Sequence, residues 1–140
     1  DVGINYAHTS MFNQTRIEES LKQSEEIKKA IEDNDFTTVG QIAEKNCLYM
    51  HSVMMTSTPP LFYWNPNTLK VIKTITGKRK KERIEFYFTV DAGPNIHCLC
   101  RTEDIDDAQQ MIEDIGIPKR DTVKVRQADY GSKTVNQHLF

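Results

Sequence analysis

The side chain best placed to do chemistry is Asp91. It ends the apolar run Ile84-Glu85-Phe86-Tyr87-Phe88-Thr89-Val90 and opens the turn Asp91-Ala92-Gly93-Pro94-Asn95. A carboxylate fixed at the end of a strand can orient or deprotonate a hydroxyl, provided a cation keeps it ionised. Gly93 lets a ligand approach the backbone closely. The amides of Gly93 and Asn95 can line an anion site, whereas Pro94 has no N–H to give. An ordinary Asp-x-Gly hairpin turn has the same spacing, and on spacing alone that is the simpler reading.

Other reactive types carry weaker signals. Cys98-Leu99-Cys100 puts two sulfurs on one face of a strand and His97 on the other. A metal site needs two more convergent ligands, none of which lies nearby in sequence, so core cysteines are expected and no metal is assigned. His51 continues the helical stripe of Cys47 and Met50, which points to a packed or hydrogen-bonded ring. Met50, Met54 and Met55 read as gap-filling core, and Tyr63 and Trp64 as packing for the diproline turn. Lys78 to Arg83 holds five basic residues beside the aromatic run Phe86-Tyr87-Phe88, an arrangement met in RNA-recognition modules. Phe86 and Phe88, however, share the inward face, and residues 103–114 carry six acidic side chains that repel phosphate. The basic run reads instead as a solvated helix end complementing the helix dipole.

These residues need a scaffold, and hydrophobic periodicity supplies one. Residues 1–10 have no helical rhythm and are expected to form a loop. Ile17, Leu21, Ile27, Ala30 and Ile31 space a helix over 12–31. Asp33-Asn34-Asp35 breaks it and caps a second helix, whose stripe is Phe36, Val39, Ile42, Ala43, Cys47 and Met50. Thr58-Pro59-Pro60 is non-helical, and Asn65-Pro66 starts a third helix through Leu69, Ile72 and Ile75. Ile84–Val90 and 96–101 are strands of an antiparallel hairpin. Residues 103–115 are helical, stopped by Gly116 and Pro118, and Thr122–Arg126 is a last strand. The order predicts an α+β, ferredoxin-like domain with helices on one face of a small antiparallel sheet. A fourth strand is expected, and nothing before Phe12 supplies it.

Composition bounds the reading. The 140 residues are 38% hydrophobic and 27% charged, with six Phe, five Tyr and one Trp, which suits a single globular domain rather than a disordered chain. A net charge of −2 argues against a nucleic-acid partner. No apolar run approaches the ~18 residues that span a bilayer, so no membrane partner is expected. Three cysteines in apolar segments fit a reducing cytoplasm better than a disulfide framework. The chain starts at Asp1 without an initiator Met, as a fragment or processed piece does.

Phe88-Thr89-Val90-Asp91-Ala92-Gly93-Pro94-Asn95 resembles the DAGPN turn of the diphosphomevalonate decarboxylases, members of the GHMP kinase superfamily. Thr9-Ser10 before a helix resembles that family's TS element, and Met50-His51 with Thr58-Pro59-Pro60 and Tyr63 resembles its histidine–diproline–tyrosine stretch. The likeness runs over nearly the whole chain and reverses the preference for an ordinary turn at Asp91. It implies a GHMP-type C-terminal domain over 1–140, with a substrate-site loop at 1–10 and a polar tail at 132–140. It implies that Asp91 is the catalytic carboxylate, with Ala92, Gly93, Asn95 and Ile4 at the substrate; Ile4 matches the family's GM element only with one gap. The implied reaction is ATP-dependent decarboxylation of mevalonate 5-diphosphate to isopentenyl diphosphate. A phosphomevalonate decarboxylase, a mevalonate 3-kinase or a non-catalytic interaction domain are the alternatives. ATP and Mg2+ would be held by an N-terminal domain, because this chain has six scattered glycines and no glycine-rich phosphate loop. The chain alone is expected to be inactive. The implied partners are that domain and a second copy in a homodimer.

Overall fold

The computed structural model describes residues 2–126, except the side chains of Val2 and Ile4. The helices are α1 (Val2–Ala7), α2 (Asn13–Glu32), α3 (Phe36–Met55), α4 (Pro66–Glu82) and α5 (Ile105–Asp114). The strands are β1 (Tyr87–Val90) and β2 (Ile96–Leu99), paired antiparallel with Tyr87 opposite Leu99 and Val90 opposite Ile96. The α+β class therefore stands, with a two-stranded sheet. The polar tail read at 132–140 lies outside the described residues.

Local signals place the helices well. Asp35 caps α3 by accepting the Thr38 N–H at 3.0 Å. Asn65 caps α4 in a reciprocal box with Thr68, and Pro66 takes the first turn, where no donor is needed. Gly116, at φ +83, follows α5 as a left-handed stop. The core joins Val71 and Ile75 of α4, Phe86, Phe88 and Val90, and Ala108, Met111 and Ile112 of α5. Cys98 and Cys100 pack against it. Burying a side chain as large as Phe88 or Ile75, both at most 1% exposed, contributes about 1.5–3 kcal/mol each.

Four expectations need correction. Residues 2–7 are helical, not a loop, and the following Thr9 ties them down by donating to the Tyr6 carbonyl and accepting the Thr58 N–H at 2.7 Å. On α2, Ile17, Leu21 and Ile31 are exposed, because this helix leans on α3 through Gln23, Ala30 and Asn46 contacts instead. On α4, Val71 and Ile75 face inward and Leu69 outward. Thr122–Arg126 forms no strand: Val123 and Val125 are 86% and 79% exposed, and neither strand of the sheet pairs with them.

β1 is shorter than its apolar run because its approach is held by side chains. Glu85 accepts from Thr37 Oγ1 and from Arg101 Nε, so Ile84–Phe86 leave the ladder. The outer edge of β1 is covered by α3 and α4 rather than by a strand. Alternate residues of an antiparallel strand turn their backbone groups outward, and four of these groups are held by side chains. Arg79 Nη1 donates to Phe86 O at 2.7 Å, Phe88 N–H donates to Glu44 Oε1 at 3.2 Å, and Val90 N–H donates to Cys47 Sγ at 3.2 Å. His51 Nε2 donates to Val90 O at 3.0 Å. A carbonyl only accepts, so the neutral ring carries its proton on Nε2.

Glu44 is held in turn by a two-pronged bond from Arg79, at 2.7 and 2.8 Å, and the guanidinium lies over the Tyr87 ring at 4.6 Å. Arg79 thus departs from the basic run read as a solvated helix end: its neighbours are exposed or half-buried, and it turns into the fold. Tyr87 fits because Gly40 has no side chain; a Cβ there would overlap the Tyr87 ring. A Cβ on Gly77, in α4, meets nothing within 4 Å.

Two outcomes follow for stability. Gly40→Ala is expected to destabilise by about 1–3 kcal/mol through overpacking, while Gly77→Ala stabilises by about 1 kcal/mol through helix propensity. Urea midpoints in the reverse order would refute this reading of Tyr87. Burial holds His51 below the ordinary imidazole range, against the opposing pull of its Val90 bond and of the Asp91 charge. Unfolding therefore takes up a proton once pH is below about 6.5, so stability from neutral His51 is full above about pH 6.5 and is lost as pH falls from there through the lower value of the folded state. The urea midpoint should drop between about pH 7.5 and 5.5, and drop less in His51→Phe; equal slopes would clear His51 of the effect.

Candidate active site

The turn Asp91–Asn95 leaves β1 at Val90, which is 1% exposed and gripped through both of its backbone groups. The grip comes from Cys47 and His51, one helical turn apart on α3 and therefore on one face of it. At the far end of the turn, Thr68 Oγ1 donates to Pro94 O at 2.7 Å. Thr68 is 2% exposed, and the same residue closes the capping box of α4. Inside the turn, Gly93 N–H donates to Asp91 O at 2.8 Å. That bond uses the Gly93 amide locally, so it does not stand open to an anion as the sequence suggested.

Asp91 carries its carboxylate into solvent, with its side chain 86% exposed, and His97 Nε2 stands 3.5 Å from Oδ2. His97 lies opposite Thr89 in the ladder, on the face away from the two cysteines, as the alternation of β2 requires. Ala92 and Asn95 are exposed beside Asp91, and the space in front of Gly93 is open. Four of the five residues read as site candidates, Asp91, Ala92, Gly93 and Asn95, thus share one turn. Ile4 lies in α1, and its side chain falls outside what the structure describes.

The surroundings are packed, not reactive. The His51 ring meets Trp64 at 4.8 Å and Tyr63 at 5.9 Å between centroids, so the two aromatics pack the turn after the diproline. Met54 is buried, and Met50 and Met55 are half-buried. Burial pushes the Cys98 thiol up to about 12, with the Cys100 and Glu44 charges adding to it, so the free thiol is not a nucleophile near neutral pH. Among the described residues no group of three or more His, Cys, Asp or Glu is placed to hold a metal ion. None of these helices is long and apolar enough to cross a membrane.

Sequence reasoning missed the anchoring residues: Glu44, Cys47 and His51 as backbone partners of β1, Arg79 as the group that orients Glu44, and Thr68 as the tether of Pro94. One signal was available. Glu44, Cys47 and His51 fall at helical spacing within the buried row of α3, and a carboxylate and an imidazole in such a row need polar partners.

A family model described as the mevalonate 5-diphosphate decarboxylase C-terminal domain matches residues 4–138. The diphosphomevalonate decarboxylase of Debaryomyces hansenii is 40% identical over 89 residues, which cover 62% of this chain and 23% of the relative. The phosphomevalonate decarboxylase of Haloferax volcanii is 27% identical over 111 residues, 79% of this chain and 34% of the relative. The solved mevalonate diphosphate decarboxylase from Enterococcus faecalis matches with a TM-score of 0.81 and 30% identity, over 86% of this chain and 37% of that one. The chain thus spans about a third or less of the length of these curated relatives. With its fold shared and all but a few terminal residues matched, the chain belongs to the family of mevalonate 5-diphosphate decarboxylase C-terminal domains.

Proposed function

We propose that this chain supplies the catalytic carboxylate, Asp91, of an ATP-dependent decarboxylase acting on mevalonate 5-diphosphate. The observation that carries the reading is an exposed carboxylate on a turn whose backbone is anchored at both ends, with the His97 imidazole 3.5 Å away. Phosphoryl transfer to an alcohol requires little of a protein beyond positioning and charge stabilisation. In the first step Asp91 takes the proton of the tertiary 3-hydroxyl as its oxygen bonds to the γ-phosphorus of ATP, and ADP leaves. In the second step the C3–O bond to the new phosphate breaks. The electrons of the bond to the carboxylate carbon form the double bond of isopentenyl diphosphate, and carbon dioxide departs. Ala92, Gly93 and Asn95 lie against the substrate, Gly93 through the open space where a side chain would stand.

Nucleotide and magnesium ion belong elsewhere in this reading. Among the described residues no group of three or more acidic, His or Cys side chains is placed to hold a metal ion, and the sequence has no glycine-rich loop. An N-terminal domain of a longer protein supplies that site and closes over the turn. The likeness to the Haloferax volcanii phosphomevalonate decarboxylase, which covers more of this chain than the Debaryomyces hansenii one, supports the 5-monophosphate as the second candidate substrate.

The test is release of phosphate and carbon dioxide by the full-length protein, given ATP and mevalonate, its 5-phosphate or its 5-diphosphate in turn. The diphosphate is expected to turn over fastest. Asp91→Asn should lower kcat by about 10²–10⁴-fold with an unchanged circular dichroism spectrum; wild-type turnover in that variant would overturn the assignment.

A further inference from the structure

We propose that His51 and Thr68 are positioning residues for the Asp91 carboxylate, an inference that rests on the role of Asp91 proposed above. A side chain 86% exposed has no packing of its own to hold it. The direction of its Cα–Cβ bond is therefore set by the backbone on either side. On the strand side, the Val90 carbonyl, which belongs to the same peptide unit as the Asp91 nitrogen, receives His51 Nε2–H at 3.0 Å. On the far side, the Pro94 carbonyl receives the Thr68 hydroxyl at 2.7 Å. His51 and Thr68 are 1% and 2% exposed, so neither bond is contested by solvent.

Each donor is itself locked. The His51 ring is wedged against Trp64 and Tyr63, and Thr68 sits in the first turn of α4, its hydroxyl oxygen accepting the Asn65 N–H at 3.3 Å. Between the two pinned carbonyls the chain runs through Asp91, Ala92, Gly93 and Pro94, with one internal bond, from Gly93 N–H to Asp91 O. Releasing either pin lets the carboxylate drift, and a misplacement of about 1 Å costs on the order of 10²-fold in rate. The two pins come from different helices, so both α3 and α4 set where one side chain stands.

The role differs from a merely structural one in what it protects: kcat rather than substrate binding, through the donor atom rather than through packing volume. The experiment uses the full-length protein with ATP and mevalonate 5-diphosphate. His51→Phe and Thr68→Val remove a donor at nearly constant volume and should lower kcat roughly 10- to 100-fold, with KM for both substrates within about twofold. His51→Gln places an amide N–H where Nε2 stood and Thr68→Ser keeps the hydroxyl, and both should return kcat to within about threefold of wild type. Should His51→Phe fail to fold, His51→Asn, whose amide is too short to reach Val90, carries the same expectation. The proposal is overturned if the donor-deleting variants keep their kcat, or if the Gln and Ser variants lose as much as they do. Asp91→Asn assayed alongside separates the two ideas. Full activity there removes the role of Asp91 itself, whereas an inactive Asp91→Asn beside fully active His51 and Thr68 variants removes the positioning claim alone.

Discussion

The outer edge of β1 is the constraint on which the rest of the molecule depends. A strand edge presents a row of backbone donors and acceptors, and burying that row without partners costs more than most single contacts return. Here the edge is buried, yet no strand lies along it among the described residues; α3 does. A helix has no backbone groups to offer sideways, so the partners must be side chains of the right length at helical spacing. Glu44, Cys47 and His51 meet that need from α3, and Arg79 meets it from α4.

Each partner brings a further requirement. A carboxylate at the Phe88 amide needs a counter-charge, which the Arg79 fork provides, at 2.7 and 2.8 Å. The guanidinium then needs a flat surface, which Tyr87 gives it, and Tyr87 needs a helix with no side chain at Gly40. An imidazole buried against the Val90 carbonyl needs neutral, apolar company, which Trp64 and Tyr63 supply. One unpaired edge therefore explains polar residues in the core, a glycine in the middle of a helix, and an arginine turned inward from a basic run. The Asp91–Asn95 turn stands at the end of this same edge and is held there through Val90.

How much of this can be read from sequence depends on the range of the interaction. Helix starts at Asp35 and Asn65 were legible because caps and proline act within one turn, and the hairpin was legible from its alternation and its Gly/Pro turn. The inner faces of α2 and α4 were not, because Ile17, Leu21 and Leu69 satisfy helical periodicity while facing away from the neighbours the fold supplies. Arg79 was misread for a related reason. Among five basic residues nothing local marks the one whose partner, Glu44, lies 35 positions away. Thr122–Arg126 shows the same limit from the other side. Alternation makes a segment able to be a strand, but a strand exists only beside another, and the edge of β1 is already taken by side chains.

The candidate site was legible in a different sense. Asp91 is exposed, with one imidazole at 3.5 Å, and considered atom by atom it looks like many surface aspartates. What sets it apart is the backbone beneath it. In the role proposed for it, a carboxylate on a loose turn would lose most of its value, because phosphoryl transfer asks for placement more than for acidity. The DAGPN letters point to Asp91, but the residues that anchor that turn lie 23 to 40 positions before it, in α3 and α4. A carboxylate left open to solvent takes its order from groups that are not, and at this turn those groups are His51 and Thr68.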